Sequence, residues 1–247
     1  MTRVSYAALA ARLKAEKPGA CQDAVAGRRT LHGVSAVALC VGASLRKHSG
    51  TGARACSKLV VDFLQKNFDR LHAEIRDSNK NSAIVEELLM EIRKDFEGRR
   101  FASEGIDAYA CTLLFVAKCG KKVIIGNLGD GIILKQTKHG VALASRPDQG
   151  EFANVTEFVT SHDAASRFRL WTGECGKSDS ILLACDGVSD SFHSKRTGTI
   201  APAVATLFKW GKLNTGGKMK AILKKNLQMT FLPRTTDDVS MALLIAD

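Results

Sequence analysis

The amino-acid sequence predicts an α+β fold in which helices pack outside antiparallel sheets. Three strand-like segments come first, followed by two amphipathic helices and then by four strand-like segments in close succession. Short turn-forming pairs separate those four segments, which indicates antiparallel pairing and not strand–helix–strand units. The chain has 247 residues, of which 45% are apolar and 25% are charged. This composition is typical of a globular protein, and we predict a single domain over residues 1–247.

The first half of the chain contains the first three strands and the two helices. The apolar run VSAVALCVG, over residues 34–42, is typical of a buried strand. From Ala53 the apolar residues recur about every 3.6 positions, which predicts an amphipathic helix, and a second helix follows over residues 82–96. The remaining predicted elements of this half are strands over residues 4–13 and 21–25, joined by a turn over residues 17–19.

The second half begins with the four closely spaced strands. The pairs Cys119-Gly120, Gly129-Asp130 and His139-Gly140 separate them, and such pairs are typical of tight turns. We therefore predict that these strands form one antiparallel meander. The predicted ranges are 109–118, 121–127, 131–135 and 141–144 for the meander, 180–185 for a further strand, 201–212 and 218–229 for two helices, and 239–245 for the last strand.

The apolar pattern argues against a membrane protein and against a secreted one. No apolar run approaches the roughly 20 residues that a membrane-spanning helix requires. The N-terminal apolar residues are interrupted by Arg12, Lys14 and Lys17, unlike the core of a signal peptide. The seven cysteines are scattered and form no Cys-x-x-Cys pair, which indicates buried free thiols. We therefore predict a cytoplasmic protein.

The net charge of +11 has an uneven distribution along the chain. Residues 191–236 contain nine lysines and arginines but no aspartate or glutamate. Apolar residues are interleaved with these cations, so we interpret the segment as helices with solvated basic faces. A surface that binds nucleic acid or another anionic partner is the alternative. The absence of an aromatic stacking pattern makes nucleic acid the weaker interpretation.

Aspartates lie at the ends of several predicted strands, and together they point to a divalent-metal site. Asp130 lies in Gly-Asp-Gly, Asp186 and Asp190 lie in Asp-Gly-Val-Ser-Asp, Asp237 precedes the last strand, and Asp23 accompanies an early strand. Carboxylates that converge at strand ends repel one another unless a cation binds between them. Ligation by oxygen atoms alone suits Mg²⁺ or Mn²⁺. A single Asp-Gly pair is usually only a turn, so the prediction depends on the whole ordered set.

The order of these motifs resembles the protein phosphatase 2C (PPM-type) family, in particular a bacterial branch whose early motif is Cys-Gln-Asp-Ala. The matching segments span almost the whole chain. In this sequence they are Cys21-Gln22-Asp23-Ala24, residues 42–54, Ala110-Cys111-Thr112, Gly129-Asp130-Gly131, residues 150–156, residues 184–190, and Asp237-Asp238-Val239-Ser240. The resemblance implies an α/β/β/α sandwich of two antiparallel sheets flanked by helix pairs.

The resemblance also implies hydrolysis of phosphoserine and phosphothreonine in proteins, with metal ions that activate a water molecule. Asp186 and Asp237 are implied as direct ligands of one Mg²⁺ or Mn²⁺, and the backbone carbonyl of Gly42 as another ligand. Asp23 would orient metal-bound water, so that Asp23 and Asp186 are the implied catalytic residues. The set implied for an additional, weaker metal is Asp130, Asp186 and Asp190.

Two acidic positions of the family motif are not acidic in this sequence. By the resemblance, Val41 occupies the position of the aspartate that bridges the two metals, and Gln22 stands where the family as a whole usually has a glutamate. Two dications about 4 Å apart repel each other by roughly 4 kcal/mol in bulk water, and by on the order of 17 kcal/mol at an effective dielectric near 20. A bridging carboxylate offsets this repulsion. We therefore expect one metal ion to bind firmly and the binding of a second ion beside it to be weak.

The phosphate-binding arginine of the family is also absent from its expected place before the early acidic motif. Lys17 is the predicted substitute, with Arg12 and Lys14 as alternatives. A lysine does not reproduce the two parallel hydrogen bonds that an arginine can donate to a phosphate. This difference adds to the expectation of an atypical site.

Three functions remain open from the sequence. The first is an active metal-dependent serine/threonine phosphatase, which the retained aspartates favour. The second is a pseudophosphatase that binds a phosphoprotein, or a partner such as a protein kinase, without turnover; Val41 and Gln22 favour it. The third, and weakest, is a basic interaction protein that uses its late lysines.

Overall fold

Two five-stranded antiparallel sheets face each other in the computed structural model of the protein, which describes residues 2–11, 21–76, 81–145 and 156–246. The first sheet has the strand order β1-β10-β9-β6-β7. Its strands are β1 (Arg3–Leu9), β6 (Ile132–Thr137), β7 (Gly140–Ser145), β9 (Ser180–Ala184) and β10 (Val239–Ile245). The sheet thus joins the two ends of the chain, because β1 pairs along its whole length with β10.

The second sheet has the strand order β2-β3-β4-β5-β8. Its strands are β2 (Asp23–Arg29), β3 (Ser35–Val41), β4 (Leu113–Cys119), β5 (Lys122–Leu128) and β8 (Arg169–Glu174). Alternate residues of β3 pack into two different hydrophobic cores, one on each face of the sheet. This explains why the strand is apolar throughout. Val37 and Leu39 face the first sheet, whereas Ala36, Ala38 and Cys40 face the helices.

Helix pairs cover the outer face of each sheet. The helices α1 (Ser49–Ile75) and α2 (Asn81–Glu97) pack on the second sheet, and α5 (Pro202–Leu213) and α6 (Gly216–Asn226) pack on the first. Two short helices, α3 (Ala164–Arg167) and α4 (Asp186–Phe192), follow loops. The layer order helix, sheet, sheet, helix confirms the predicted α+β sandwich. Within the described ranges, no helix combines the length and the apolar character needed to cross a bilayer.

The predicted meander is wrong, although its strands exist. The pairs β4–β5 and β6–β7 are hairpins, but they belong to different sheets. The chain changes sheets at Gly129, whose φ of 108° is in the left-handed region that favours glycine. The segment Gly129-Asp130 is therefore a crossing between sheets and not a hairpin turn. Similarly, β1 and β2 lie in different sheets, and the predicted turn over residues 17–19 lies outside the described residues.

Other predicted boundaries shift by a few residues, and one strand was missed. Helix α1 begins at Ser49 and not near Ala53, and residues Ile106–Tyr109 form a short 3₁₀ helix before β4. The strand β8 (Arg169–Glu174) has no alternating apolar pattern, because its residues are only partly buried at the edge of the sheet. Sequence periodicity therefore gave no indication of it.

Helix α1 approaches its neighbours closely because Gly52 has no side chain. A Cβ atom at this position would lie 2.0 Å from the backbone oxygen of Tyr109. We expect Gly52→Ala to lower the free energy of unfolding by about 1–3 kcal/mol, because backbone must move to admit the methyl group. Urea unfolding monitored by circular dichroism measures the change.

Gly217→Ala is the matched control for this substitution, because an added Cβ on helix α6 meets no atom within 4 Å. The higher helix propensity of alanine should leave that variant as stable as the parent chain or more stable. Equal stability of the Gly52 variant and the parent would contradict the close packing inferred for α1.

Candidate metal centre

Strand pairing brings three of the predicted aspartates to one edge of the first sheet. Ala184, at the end of β9, pairs with Met241 of β10 on one side and with Ile132 of β6 on the other. Because both pairings are antiparallel, the chain leaves β9 where it enters β6 and β10. The aspartates that flank these strand ends are Asp130, Asp186 and Asp237.

The three carboxylates interact electrostatically, and Asp186 is the central one. Burial raises the pKa of Asp186 to about 6, and the nearby charges of Asp130 and Asp237 act in the same direction. One oxygen of the Asp186 carboxyl, Oδ1, is buried without a hydrogen-bond partner among the described residues. A buried oxygen acceptor beside repelling carboxylates suits a hard divalent cation, which would offset both costs. No three described carboxylates have ligand atoms within 4.8 Å of one another, so a bound cation would draw them closer together.

Asp130 has a hydrogen-bond partner, and Asp190 has an ion-pair partner. Asp130 accepts a hydrogen bond of 2.8 Å from the hydroxyl of Thr156. Asp190 lies one turn along α4 from Asp186 and is exposed, with Lys195 Nζ 3.7 Å from its carboxylate. Asp190 is therefore the most solvent-exposed of the predicted metal ligands, and its role in a weaker site remains a prediction.

Asp23 is buried next to this cluster. It begins strand β2, is 5% exposed, and accepts a 2.6 Å hydrogen bond from the hydroxyl of Ser240. Burial raises the pKa of Asp23 to about 8; the hydrogen bond from Ser240 opposes the shift, and the charges of Asp238 and Asp186 add to it. In the metal-free protein, Asp23 is therefore mostly protonated at neutral pH.

This raised pKa makes the stability of the metal-free protein depend on pH. The folded state retains the Asp23 proton up to about pH 8, whereas an unfolded chain loses it near pH 4. The protonated side chain therefore stabilises the fold fully below pH 4, and this contribution is lost as the pH rises from about 4 to 8. We expect Asp23→Asn to reduce this decrease in stability with pH. At pH 8, the free energy of unfolding should rise by on the order of a few kcal/mol.

Thermal unfolding in EDTA at several pH values tests the Asp23 prediction. Asp69→Asn is a suitable control, because Asp69 is an exposed residue paired with Lys122. Parallel stability curves for the parent chain and Asp23→Asn between pH 5 and 8 would contradict the assignment of the buried proton to Asp23.

Asp238 lies in the Asp-Asp-Val-Ser motif before β10 but is not among the predicted site residues. It is 2% exposed, and its two oxygens accept hydrogen bonds from the backbone N–H groups of Ala11 (2.8 Å) and Gln22 (2.6 Å). Asp238 therefore fixes the start of β2 against β10 and so positions Asp23. The doubled aspartate before an apolar strand was the available signal, but the sequence did not reveal which of the two carboxylates binds backbone.

Gln22 and Val41, the two positions at which the resemblance implied carboxylates, make other interactions. Gln22 donates a side-chain hydrogen bond of 2.8 Å to Ser49 Oγ. Val41 is paired with Asp23 across strands β2 and β3, and its side chain packs against the core between the sheets. Gly42 follows, and a Cβ there would lie 2.9 Å from the backbone oxygen of Gln22. The backbone around Gly42 is thus tightly packed, and its role as a carbonyl ligand remains a prediction.

Other predictions fall on residues that the structure does not describe. Lys17, with its alternatives Arg12 and Lys14, lies in residues 12–20, and most of the motif at residues 150–156 lies in residues 146–155. The late lysines lie mainly on exposed faces of α5 and α6, which fits the interpretation as solvated basic faces.

The chain is similar in sequence to known protein phosphatases. Its sequence matches the protein phosphatase 2C family model over residues 14–228. The curated relative serine/threonine-protein phosphatase 3 of Escherichia coli (strain K12) is 25% identical over 170 residues, which is 68% of this chain. The matched region spans 65% of that relative, just under two thirds of its length.

Solved structures share the complete fold at low sequence identity. The serine/threonine phosphatase PstP/Ppp of Mycobacterium tuberculosis has a TM-score of 0.63 and 15% identity, over 100% of this chain and 99% of that one. RsbX in complex with magnesium has a TM-score of 0.58 and 12% identity, over 100% and 96% of the two chains. These similarities establish the fold. With the family match over most of its length, the chain belongs to the protein phosphatase 2C family.

Proposed function

We propose that the protein is a metal-dependent phosphatase that hydrolyses phosphoserine and phosphothreonine in proteins, with a metal centre weaker than the family pattern. The convergence of Asp130, Asp186 and Asp237 at one sheet edge is the observation that supports this proposal most strongly. The family match and the E. coli relative favour the same reaction.

In this proposal the residues divide into metal ligands and positioning groups. Asp186 and Asp237 would bind Mg²⁺ or Mn²⁺ together with the backbone carbonyl of Gly42, and Asp130 and Asp190 would form a weaker additional site. When bound, the ion neutralises phosphate charge and lowers the pKa of a coordinated water molecule. Asp23 would orient that water, with its carboxyl group held by the hydrogen bond from Ser240.

Turnover of a phosphothreonine peptide across a Mn²⁺ titration tests the proposed activity. We expect phosphate release that depends on added Mn²⁺ or Mg²⁺ and that EDTA abolishes. No release at any metal concentration, from protein that binds the metal and is folded, would contradict the proposed hydrolysis and favour the alternative function.

The alternative is a pseudophosphatase that binds a phosphoprotein or a protein kinase without hydrolysis. The specific observation in its favour is that Val41 has an apolar side chain packed against the core and that the Gln22 amide is hydrogen-bonded to Ser49, at two positions where the resemblance implies carboxylates. Saturable binding of the phosphopeptide without phosphate release would support this function. A basic interaction surface on α5 and α6 ranks below both, and salt-sensitive binding to polyphosphate would detect it.

We also infer a cytoplasmic location. All seven cysteines lie in the described part of the chain and are free thiols, which is typical of a reducing compartment. Fractionation of cells that produce the protein tests the inference, and recovery of the protein outside the cytoplasm would contradict it.

A further inference from the structure

Three buried cysteines converge behind the end of strand β3. Cys40 is in β3, Cys56 is in helix α1, and Cys111 forms an isolated bridge with Gly42 just before β4. Each is 0% exposed, and their three sulfur atoms all lie within 4.8 Å of one another. No described histidine or carboxylate joins the group at that distance. The group, called here the three-cysteine cluster, is separate from the carboxylates of the metal centre.

The fold forms this cluster through close packing of small residues. Cys40 and Cys111 are two positions apart in the antiparallel register of β3 and the β4 segment, so their side chains share the face toward α1. Gly52 and Cys56 are four residues apart and lie on one face of α1. Because Gly52 contacts the backbone of Tyr109, the next turn brings Cys56 against Cys111.

The spacing of the sulfur atoms suits a metal ion better than a disulfide. Metal–sulfur bonds of about 2.3 Å place three sulfurs in trigonal geometry about 4 Å apart, so the observed cluster needs only a small contraction. A disulfide would require two sulfurs at about 2.05 Å and would leave the third unused. Diagonal positions such as those of Cys40 and Cys111 have Cα atoms about 7–8 Å apart, beyond the usual disulfide range.

The ligand number and the surroundings select the kind of ion. Zn²⁺ in proteins takes four ligands, or three and a water molecule, but solvent does not reach these sulfurs. Soft thiolate ligands favour Cu(I). We propose that the three-cysteine cluster is a binding site for one monovalent soft cation, Cu(I), held by three sulfur ligands.

Binding of Cu(I) exchanges protons for the metal without electron transfer. Thiolates and not thiols are the sulfur ligands of metals, so the S–H bonds of the ligating cysteines break, their protons leave to solvent, and Cu⁺ binds to the sulfurs in their place. The cluster belongs to the helix–sheet core, whose other members include Ala38, Ala53 and Leu113.

Loading with Cu(I) under anaerobic conditions tests the proposal. The full chain carries Cys21→Ser and Cys119→Ser, which remove the two partly exposed thiols. It is refolded with Cu(I) and a competing chelator and then gel-filtered. We expect about one copper per chain and three sulfur neighbours by X-ray absorption. Cys40→Ser, Cys56→Ser or Cys111→Ser in this background should each lower copper affinity by about tenfold or more.

Cys175→Ser is the matched control, because Cys175 is equally buried but lies in the other core; this variant should keep the copper. The X-ray absorption measurement needs no folded variant, so the test holds if a cluster substitution prevents folding. Absence of copper from folded protein, copper bound through nitrogen or oxygen, or equal affinity in Cys56→Ser would overturn the proposal. A disulfide between two of the three cysteines in the reduced, copper-treated protein would overturn it as well.

Discussion

Asp186→Asn is expected to lower the affinity for Mn²⁺ by on the order of 100-fold or more and to abolish phosphate release. Asp186 is the carboxylate on which the charges of Asp130 and Asp237 both act, and its Oδ1 is a buried acceptor. The amide has nearly the same shape but supplies no negative charge to the ion. Isothermal titration with Mn²⁺ and the phosphopeptide assay measure the two effects.

The same substitution should have the opposite effect on the metal-free fold. Because the pKa of Asp186 is raised to about 6, its ionised form at pH 7.5 destabilises the folded state. Asp186→Asn should therefore unfold at an equal or higher temperature in EDTA, while it loses the stabilisation that Mn²⁺ gives to the parent chain. The control Asp69→Asn should bind Mn²⁺ and unfold in EDTA like the parent chain. If Asp186→Asn binds Mn²⁺ as tightly as the parent chain, Asp186 is not a ligand.

Val41→Asp combined with Gln22→Glu is expected to convert a weak second metal site into a firm one. The two substitutions place carboxylates beside Asp23 and Gly42, at the positions where the sequence resemblance implies them. A carboxylate between two dications offsets part of a repulsion of roughly 4 kcal/mol in bulk water and more in the protein. We expect the second Mn²⁺ to bind at least about tenfold more tightly and phosphate release to rise.

Val41→Asn combined with Gln22→Glu is the control for this experiment. Asparagine matches aspartate in size and polarity at a position packed against the core, so it reproduces any disturbance of the packing without the added charge. In EDTA, the variant with Val41→Asp should be the less stable of the two, because its new carboxylate would face Asp23 across the strands. Equal metal affinity in both variants would show that the missing charge at the position of Val41 is not what limits the site.

Much of the architecture could be predicted because local patterns determine it. The strand β10 matches its predicted range, since its seven residues are apolar or small and all buried. The pairing of strands was less predictable. Gly129-Asp130 has the composition of a hairpin turn, but β6 pairs with β9, which comes much later in the chain, and this distant pairing takes β6 into the other sheet.

The set of aspartates could be predicted from the sequence, but the different role of each aspartate could not. Asp237 and Asp238 are adjacent in the sequence, yet Asp237 acts on Asp186 whereas Asp238 accepts hydrogen bonds from backbone. The direction of each side chain depends on where β10 enters the sheet. The three-cysteine cluster was not predictable, because its members come from a strand, a helix and a bridge that are far apart in the sequence.

The number of manganese ions bound per chain tests the central claim most directly. Equilibrium dialysis of the parent chain at pH 7.5, in the presence of a thiol reductant, counts the ions across a range of free Mn²⁺. The retained Asp186 and Asp237, with Val41 and Gln22 at the other two positions, predict one firmly bound ion and further binding only at much higher concentration. Two ions of similar affinity, or none, would contradict this account of the metal centre.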